Sequence, residues 1–294
     1  MDHDGDGILD LISGSYDPGD IWLFAGLGKG EYAAGKVLVD EAGVPLVHHP
    51  KELQRYESLR MEKGEDGEGV IQARVKSFGS WPALVDWDAD GDLDMLIGTF
   101  GGGMHLRTNV GTRTAPKYSA ASPEVLVDGK PLKVHMHAAP SVADWNGDGL
   151  FDVIVGCGDG SVQLFVNGGK TGEPRLAAAV SLVPAKAKSK FVRQVLLPGD
   201  ELQPAVRAQV QVVDFDLDGK LDLLVGDYGE VVRAHPDLAE AELQQLRATI
   251  RREKAMMEGK HDEQIAKEID AILCRLCKPG KRTSAVWFYR RVGD

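Results

Sequence analysis

Carboxylates recur in this chain at alternate positions. The stretch from Asp86 to Phe100 reads DWDADGDLDMLIGTF, with Asp86, Asp88 and Asp90 at positions one, three and five, Gly91 at six and Asp94 at nine. The same arrangement begins at Asp2 (DHDGDGILDLISGSY), Asp144 (DWNGDGLFDVIVGCG) and Asp214 (DFDLDGKLDLLVGDY), with Asn146 the one departure from aspartate. Carboxylates crowded this closely repel one another unless a cation sits among them. Calcium takes about six to eight oxygens, and side chains at positions one, three and five with a backbone carbonyl at seven wrap one. Glycine at position six permits the sharp turn. The helix-flanked version of such a loop closes with a bidentate Glu at position twelve. Here that position is Ser13, Ile97, Val155 or Val225, and Asp10, Asp94, Asp152 or Asp222 at position nine stands in its place. The pattern predicts up to four Ca²⁺ loops on β-hairpins.

The elements that hold these loops repeat with them. Each loop runs into an apolar strand, then a Gly/Asp turn, then a second strand: IWLFAG from Ile21, MHLRTN from Met104, VQLFVN from Val162 and VWFYRR from Val286. A third strand is expected near 37–40, 125–128 and 181–183, and PALV, PSVA and QVQVV precede three of the loops. These runs are rich in β-branched and aromatic residues and bounded by Gly, Asp and Pro. The first aspartates stand 84, 58 and 70 residues apart (Asp2, Asp86, Asp144, Asp214). A period near 60 with four short strands per unit predicts an all-β chain, a β-propeller of four-stranded blades. Two insertions account for the uneven spacing. One, 45–76, contains a helical pattern at Lys51–Met61, the acidic turn GEDGEG and a strand at Val70–Val75. The other, 236–278, places apolar residues at helical spacing over 237–258 and 262–277, joined at Gly259-Lys260 into an α-helical hairpin within the last blade. That hairpin is either a decoration packed on the rim or an arm that contacts a partner.

A net charge of −11 argues against nucleic acid and anionic membrane surfaces as partners. Four bound Ca²⁺ would bring it to −3. No apolar run reaches 18 residues, so membrane insertion is not expected. Met1 leads directly into the first loop without a basic or apolar leader, which reads as a start inside a longer parent. Cys157 ends an apolar strand and reads as a core thiol, while Cys274 and Cys277 form a CxxC that suits helix packing or a local disulfide.

Other residue types were weighed for chemistry. His3, Trp87, Trp145 and Phe215 occupy position two of the loops, where packing between neighbouring blades or a ligand platform would use them. His135 and His137, two apart in an expected strand, could share a site with His48 and His49, or be ordinary surface histidines. GGKTGEP at 168–174 and GLGKGEY at 26–32 lack the glycine spacing or hydroxyl of a phosphate loop and the helix that follows one. A nucleophile elbow or zinc-protease helix is lacking as well, and carboxylates holding a metal make poor acid–base catalysts.

Loops of the form DxDxDGxxD feeding a strand resemble the FG-GAP or VCBS repeat of integrin α-subunit propellers. The wider pattern, with NVGTRTAPKY and a closing VWFYR, is similar to planctomycete-type secreted FG-GAP proteins. The resemblance implies a propeller, usually of seven blades where this sequence shows four, with calcium on one face and a place outside the cytoplasm. Carried onto this chain, it implies ligands Asp2, Asp4, Asp6 and Asp10 with the carbonyl of Ile8 at the first site. The second would use Asp86, Asp88, Asp90 and Asp94 with the carbonyl of Asp92. The third would use Asp144, Asn146, Asp148 and Asp152 with Leu150, and the fourth Asp214, Asp216, Asp218 and Asp222 with Lys220. Asn146 removes a charge, so the third site should bind most weakly.

The expectation is a non-catalytic, calcium-binding module for interaction or adhesion, extracellular, periplasmic or on a bacterial cell surface, with a protein or glycan ligand on the propeller. Three alternatives stand beside it. A carbohydrate-binding propeller would use Trp22, Trp81 and Trp287; an enzyme such as a polysaccharide lyase or hydrolase would use the open face near His135 and His137; and an accessory propeller would serve as a calcium-bearing scaffold for the catalytic domain of such an enzyme.

Overall fold

The computed structural model describes residues 1–48, 50–64, 67–77, 79–185, 193–258 and 262–292. The chain is mostly β, laid down as successive antiparallel sheets. β1 (Leu11–Gly14), β2 (Ile21–Phe24), a small hairpin of β3 (Gly26–Gly28) and β4 (Glu31–Tyr32), and β5 (Lys36–Val37) come first, with β1, β2 and β5 forming the first sheet. After α1 (Pro50–Lys63) and α2 (Val70–Ser77), the second sheet is β6 (Ser80–Val85), β7 (Asp94–Thr99) and β8 (Met104–Arg107). A separate hairpin, β9 (Leu126–Val127) and β10 (Lys130–Pro131), follows it. The third sheet is the meander β11 (Ala139–Ala143), β12 (Asp152–Gly156), β13 (Val162–Phe165) and β14 (Val180–Val183). In the fourth, β15 (Arg193–Leu196), β16 (Val206–Val213) and the twelve-residue β17 (Asp222–Arg233) are joined by β18 (Lys281–Thr283) and β19 (Val286–Tyr289), after α3 (Glu240–Glu258) and α4 (Glu263–Leu276).

Strand formation follows the apolar runs behind each loop, and every expected second strand is present. The four-stranded meander is complete only in the third sheet. In the second, 125–128 turns back on itself as β9–β10, held to β8 by a single bridge from His105 to Glu124. In the fourth, β17 outgrows the repeat: its distal half pairs in parallel with β15 and antiparallel with β18. The strand expected at Val70–Val75 is a helix, because Val70 and Ala73, three apart, share one face and bury with Tyr56 of α1. The GEDGEG turn, at Glu65 and Asp66, and the Gly259-Lys260 junction lie outside the described residues. The two helical patterns that flank the junction do form α3 and α4, and Asp262 caps α4 by accepting N–H bonds from Gln264 and Ile265.

The core is divided by the gaps between sheets. Ile21, Leu84, Met95 and Ile97 fill the space between the first and second. Leu96, Met104, Val153, Val155 and Phe165 fill the next, and Ile154, Val162, Val210, Val212 and Val225 the third. α3 and α4 bury Leu246, Ile269, Leu273 and Leu276 against Val232 and Ala234, so the helical hairpin covers the distal end of β17. Cys157 is buried in the core as expected. Cys277 is buried, Cys274 is exposed, and both are free.

One repeated contact sets the distance between sheets. The thirteenth residue of each repeat is glycine: Gly14, Gly98, Gly156 and Gly226. A Cβ on Gly14 would stand 1.8 Å from the Ser80 carbonyl oxygen, on Gly98 1.9 Å from that of Ala138, and on Gly156 2.3 Å from that of Ala208. The next two carbonyls of the same strand then accept N–H bonds from the neighbouring sheet. Thr99 O accepts from Ala138 and Phe100 O from His137; Cys157 O accepts from Ala208 and Gly158 O from Arg207, with Ser15 and Tyr16 doing the same for Ser80 and Gly79. β1, β6, β11 and β16 line a common groove of about 400 Å³, formed by Ile12–Tyr16, Ser80–Pro82, Ala139, Pro140, Gln209 and Val210.

Gly226 is different: a Cβ there meets only Gln209 of its own sheet, at 3.7 Å. Gly98→Ala and Gly156→Ala should therefore push sheets apart and cost about 1–3 kcal/mol or more. Gly226→Ala should leave stability unchanged or raise it by a few tenths, since glycine in a strand carries an entropic cost of about 0.5–1 kcal/mol. Urea unfolding of the three variants checks this, and equal losses at all three positions would refute the role assigned to the contact.

Candidate metal centres

Each aspartate loop closes a hairpin, between β6 and β7, β11 and β12, and β16 and β17; the first loop leads into β1. Backbone and carboxylate shape the loop together. The position-six glycines Gly7, Gly91, Gly149 and Gly219 have φ of 88°, 97°, 85° and 86°, in the region that other residues rarely adopt. Their N–H groups donate to the first carboxylate: Gly7 to Asp2 at 3.1 Å, Gly91 to Asp86 at 3.2 Å, Gly149 to Asp144 at 2.9 Å and Gly219 to Asp214 at 3.0 Å. The position-seven residues Ile8, Asp92, Leu150 and Lys220 donate their N–H groups to Asp6, Asp90, Asp148 and Asp218 at 2.7–3.1 Å.

This curl gathers carboxylates. One oxygen each from Asp2, Asp4 and Asp6, from Asp86, Asp88 and Asp90, and from Asp214, Asp216 and Asp218 lie within 4.8 Å of one another. Oxygens on opposite sides of a calcium ion stand about 5 Å apart, given bonds of about 2.3–2.6 Å. The three sets therefore fit a shared hard cation. Asp86 Oδ1 is shut off from solvent and has no hydrogen-bond partner among the described residues, an acceptor suited to a cation. In the third loop Asn146 breaks the set, and its Nδ2 donates to Asp148 at 2.9 Å.

The ninth-position aspartates are placed differently. Each is buried, and its two oxygens accept backbone N–H groups from two parts of the chain. Asp94 accepts from Trp87 at 3.1 Å and Asn109 at 2.7 Å; Asp152 accepts from Trp145 at 3.0 Å and Asn167 at 2.7 Å. Asp10 accepts from His3 and Gly26, and Asp222 from Phe215 and Arg291. They lie outside the three clusters and tie the loop entrance to the end of the following strand. Burial drives the Asp94 carboxyl up to about 6, against the two N–H bonds that favour its charge, and raises Asp152 for the same reason. Burial, reinforced by Asp90, Asp88 and Asp86, also raises Asp92.

Arginines from neighbouring segments brace the loops. Arg113 donates to the carbonyls of Asp2 and His3 at 2.7 and 3.0 Å, and Arg291 to the carbonyl of Trp145 at 2.7 Å. Arg290 pairs with Asp216 and Asp218 at 2.8 and 3.0 Å, and its hydrogen bond holds the Asp218 carboxyl below its ordinary value. Position-two side chains pack as expected in three repeats: His3 against Tyr118, Trp87 and Trp145 between sheets, Trp145 also under Arg291. Phe215 is 57% exposed.

The histidines do not gather. Residues 132–137 form no strand, and left-handed backbone at Met136 and His137 sends the two side chains apart: His135 is exposed and His137 buried. His137 lies against Trp81 and Phe100, with ring centroids 5.4 and 4.3 Å away. His48 is buried beside His105, 6.0 Å between rings, and His49 lies outside the described residues. GGKTGEP is the turn between β13 and β14, where Asn167 Oδ1 accepts N–H bonds from Gly169 and Arg175. Asn109 does the same for Gly111 and Lys117. Sequence reading missed this role, although the N-x-G turn recurs in NVGTRTAPKY and NGGKTGEPR and marks it.

Sheets that each carry an aspartate loop strapped by a buried carboxylate are a repeat architecture. Residues 144–225, the third and fourth loops with the strands between them, match the family model of FG-GAP-like repeats, so this part of the chain is similar to that family. A comparison with curated proteins gives no match.

Two expectations follow from the geometry. In chelator, Asp152→Ala should cost about 3 kcal/mol, because two backbone N–H groups beside a fully buried carboxylate lose their acceptor. Exposed Asp148→Ala should cost under about 1 kcal/mol; denaturant titration separates strap from rim. Burial, with Arg207 and His135 nearby, lowers the His137 pKa from 6.5 to about 4. A folded pKa below the unfolded one means stability that is complete above about pH 6.5 and lost as pH falls toward 4. Between pH 7 and 5 the loss should be about 2 kcal/mol, and His137→Asn should remove that part of the slope in urea titrations.

Proposed function

We propose that this chain is a calcium-stabilised β-propeller assembly, its sheets serving as blades, that acts outside the cytoplasm as a non-catalytic interaction module for a protein or glycan ligand. The observation that carries the reading is the three carboxylate triads, each within the span of one calcium ion, in loops that the backbone curls the same way. FG-GAP repeats occur in integrin-like extracellular β-propeller domains, which agrees with it.

The side chains at positions one, three and five would hold the ion in the first, second and fourth loops, with Ile8, Asp92 and Lys220 offering carbonyls. The straps Asp10, Asp94 and Asp222 keep lone pairs beyond their two N–H bonds and could complete the shell. Calcium neutralises repulsion that the folded loops otherwise carry, and binds the folded chain in preference to the unfolded one. At a hundred-fold excess over Kd each site adds about 2.7 kcal/mol of stability, so three sites rival the net stability of an ordinary domain, about 5–15 kcal/mol. Sites of this reach suit free calcium near 10⁻⁴–10⁻³ M, as found outside cells.

Chelation should lower the melting temperature by many degrees, and restoring calcium should recover it. Asp88→Asn should weaken calcium binding in calorimetry. The third loop should bind last, since Asn146 lowers its charge. A melting temperature indifferent to chelator, together with no calorimetric heat, would sink the reading.

A further inference from the structure

Three junctions inside this chain follow one rule. The strand side holding positions eleven and thirteen, with the residues paired to them, packs on the side of the next sheet holding positions ten and twelve. Ile12, Gly14 and Ile21 meet Met95 and Ile97; Leu96, Gly98 and Met104 meet Val153 and Val155; Ile154, Gly156 and Val162 meet Leu223 and Val225. One face of each kind is left over. On the fourth sheet it is Leu224 and Gly226 with their partners Phe288 and Val286, which are 44% and 71% exposed. On the first sheet it is Leu11, 49% exposed, and Ser13, with Phe24 and Trp22 opposite them.

We propose that these two faces are the halves of a fourth junction, made between copies of this chain, so that the protein self-associates head to tail. Four observations converge on the fourth sheet. Its thirteenth residue is still glycine, although among the described residues nothing except Gln209 approaches within ordinary contact distance. Its position-two aromatic, Phe215, is exposed and lies tilted against Phe288, 5.1 Å between ring centroids, where His3 is buried and Trp87 and Trp145 are half-buried. Val286 and Phe288, apolar at the positions of Val162 and Leu164, face water. The helical hairpin buries its apolar side against Val232 and Ala234, at the other end of β17, and leaves this face open. Exposed apolar surface of this kind marks an interaction site. The occupant it fits is the one that the three internal junctions display, a sheet of this same repeat, and the first sheet of the same chain carries the complementary face. Such a contact is heterologous: it joins different patches on the two copies, and closes when the second pair of faces meets.

The test is sedimentation and light scattering of the chain from about 1 to 100 μM. A mass of at least twice 31.8 kDa is expected for the wild type, falling to the single-chain mass in Val286→Glu and in Leu11→Glu. Mixing the two variants should restore association, because each then supplies the face that the other lacks. Ser13→Arg provides a second change on the first sheet, and circular-dichroism melts show that each variant is folded. A wild type that stays single throughout the range would overturn the proposal. So would association lost in Val286→Glu but kept in both Leu11→Glu and Ser13→Arg, which would mean that like faces meet.

Discussion

The buried carboxylate at the ninth position of each repeat ties together parts of the chain that would otherwise be independent. It accepts one N–H from the second residue of its own loop and another from the end of the following strand. Four residues later the same strand presents glycine to the next sheet. The carboxylate thus fixes loop, hairpin and strand direction in one place, and the glycine then fixes how close the neighbouring sheet comes. A buried charge is costly unless hydrogen-bonded. Two well-placed N–H groups from separate segments meet that requirement only when the repeat is folded, which couples the loop's geometry to the sheet's.

This arrangement explains which features were legible in the sequence. The loops stand out because aspartate spacing and a left-handed glycine are each demanded by local geometry, and local demands leave local patterns. The strands behind them follow for the same reason. The division of labour within a loop was not legible: position nine and positions one, three and five are aspartate alike, Asn146 apart, and only tertiary contact tells a strap from a rim. The close approaches at Gly98 and Gly156 left no local signal, since the carbonyls they admit, of Ala138 and Ala208, lie 40 and 52 residues further along the chain. Val70–Val75 misled because apolar residues at 70, 71, 73 and 75 satisfy both periods, and Tyr56 decides between them. His135 and His137 misled because alternation was assumed where the backbone turns left-handed.

The charges follow the same logic at larger scale. The chain's −11 is concentrated in loops whose carboxylates face one another. In two loops other groups already moderate the repulsion: Asn146 in the third, and Arg290 across Asp216 and Asp218 in the fourth. Among the described residues the second loop has neither. It has instead a carboxylate oxygen sealed from solvent without a partner, and an Asp92 side chain whose ionisation its neighbours oppose. By this argument a bound cation would relieve the second loop most, whereas in the fourth an arginine already holds the rim in shape.

That gradient bears on how the sheets end. The second loop sits between two junctions, its hairpin packed on both sides, so strain there would spread into the first and third sheets. The fourth loop sits at the open face, where Arg290 and Arg291 of the final segment clasp it and the third loop. The arginines thus brace these two loops from within the chain. The helical hairpin does the complementary job for the distal half of β17, covering the strand where it leaves the repeat. Helices and arginines together close two of the fourth sheet's exposed features. The apolar side of β19 is closed by neither, which is why it is the part of this sheet whose chemistry calls for something outside the chain.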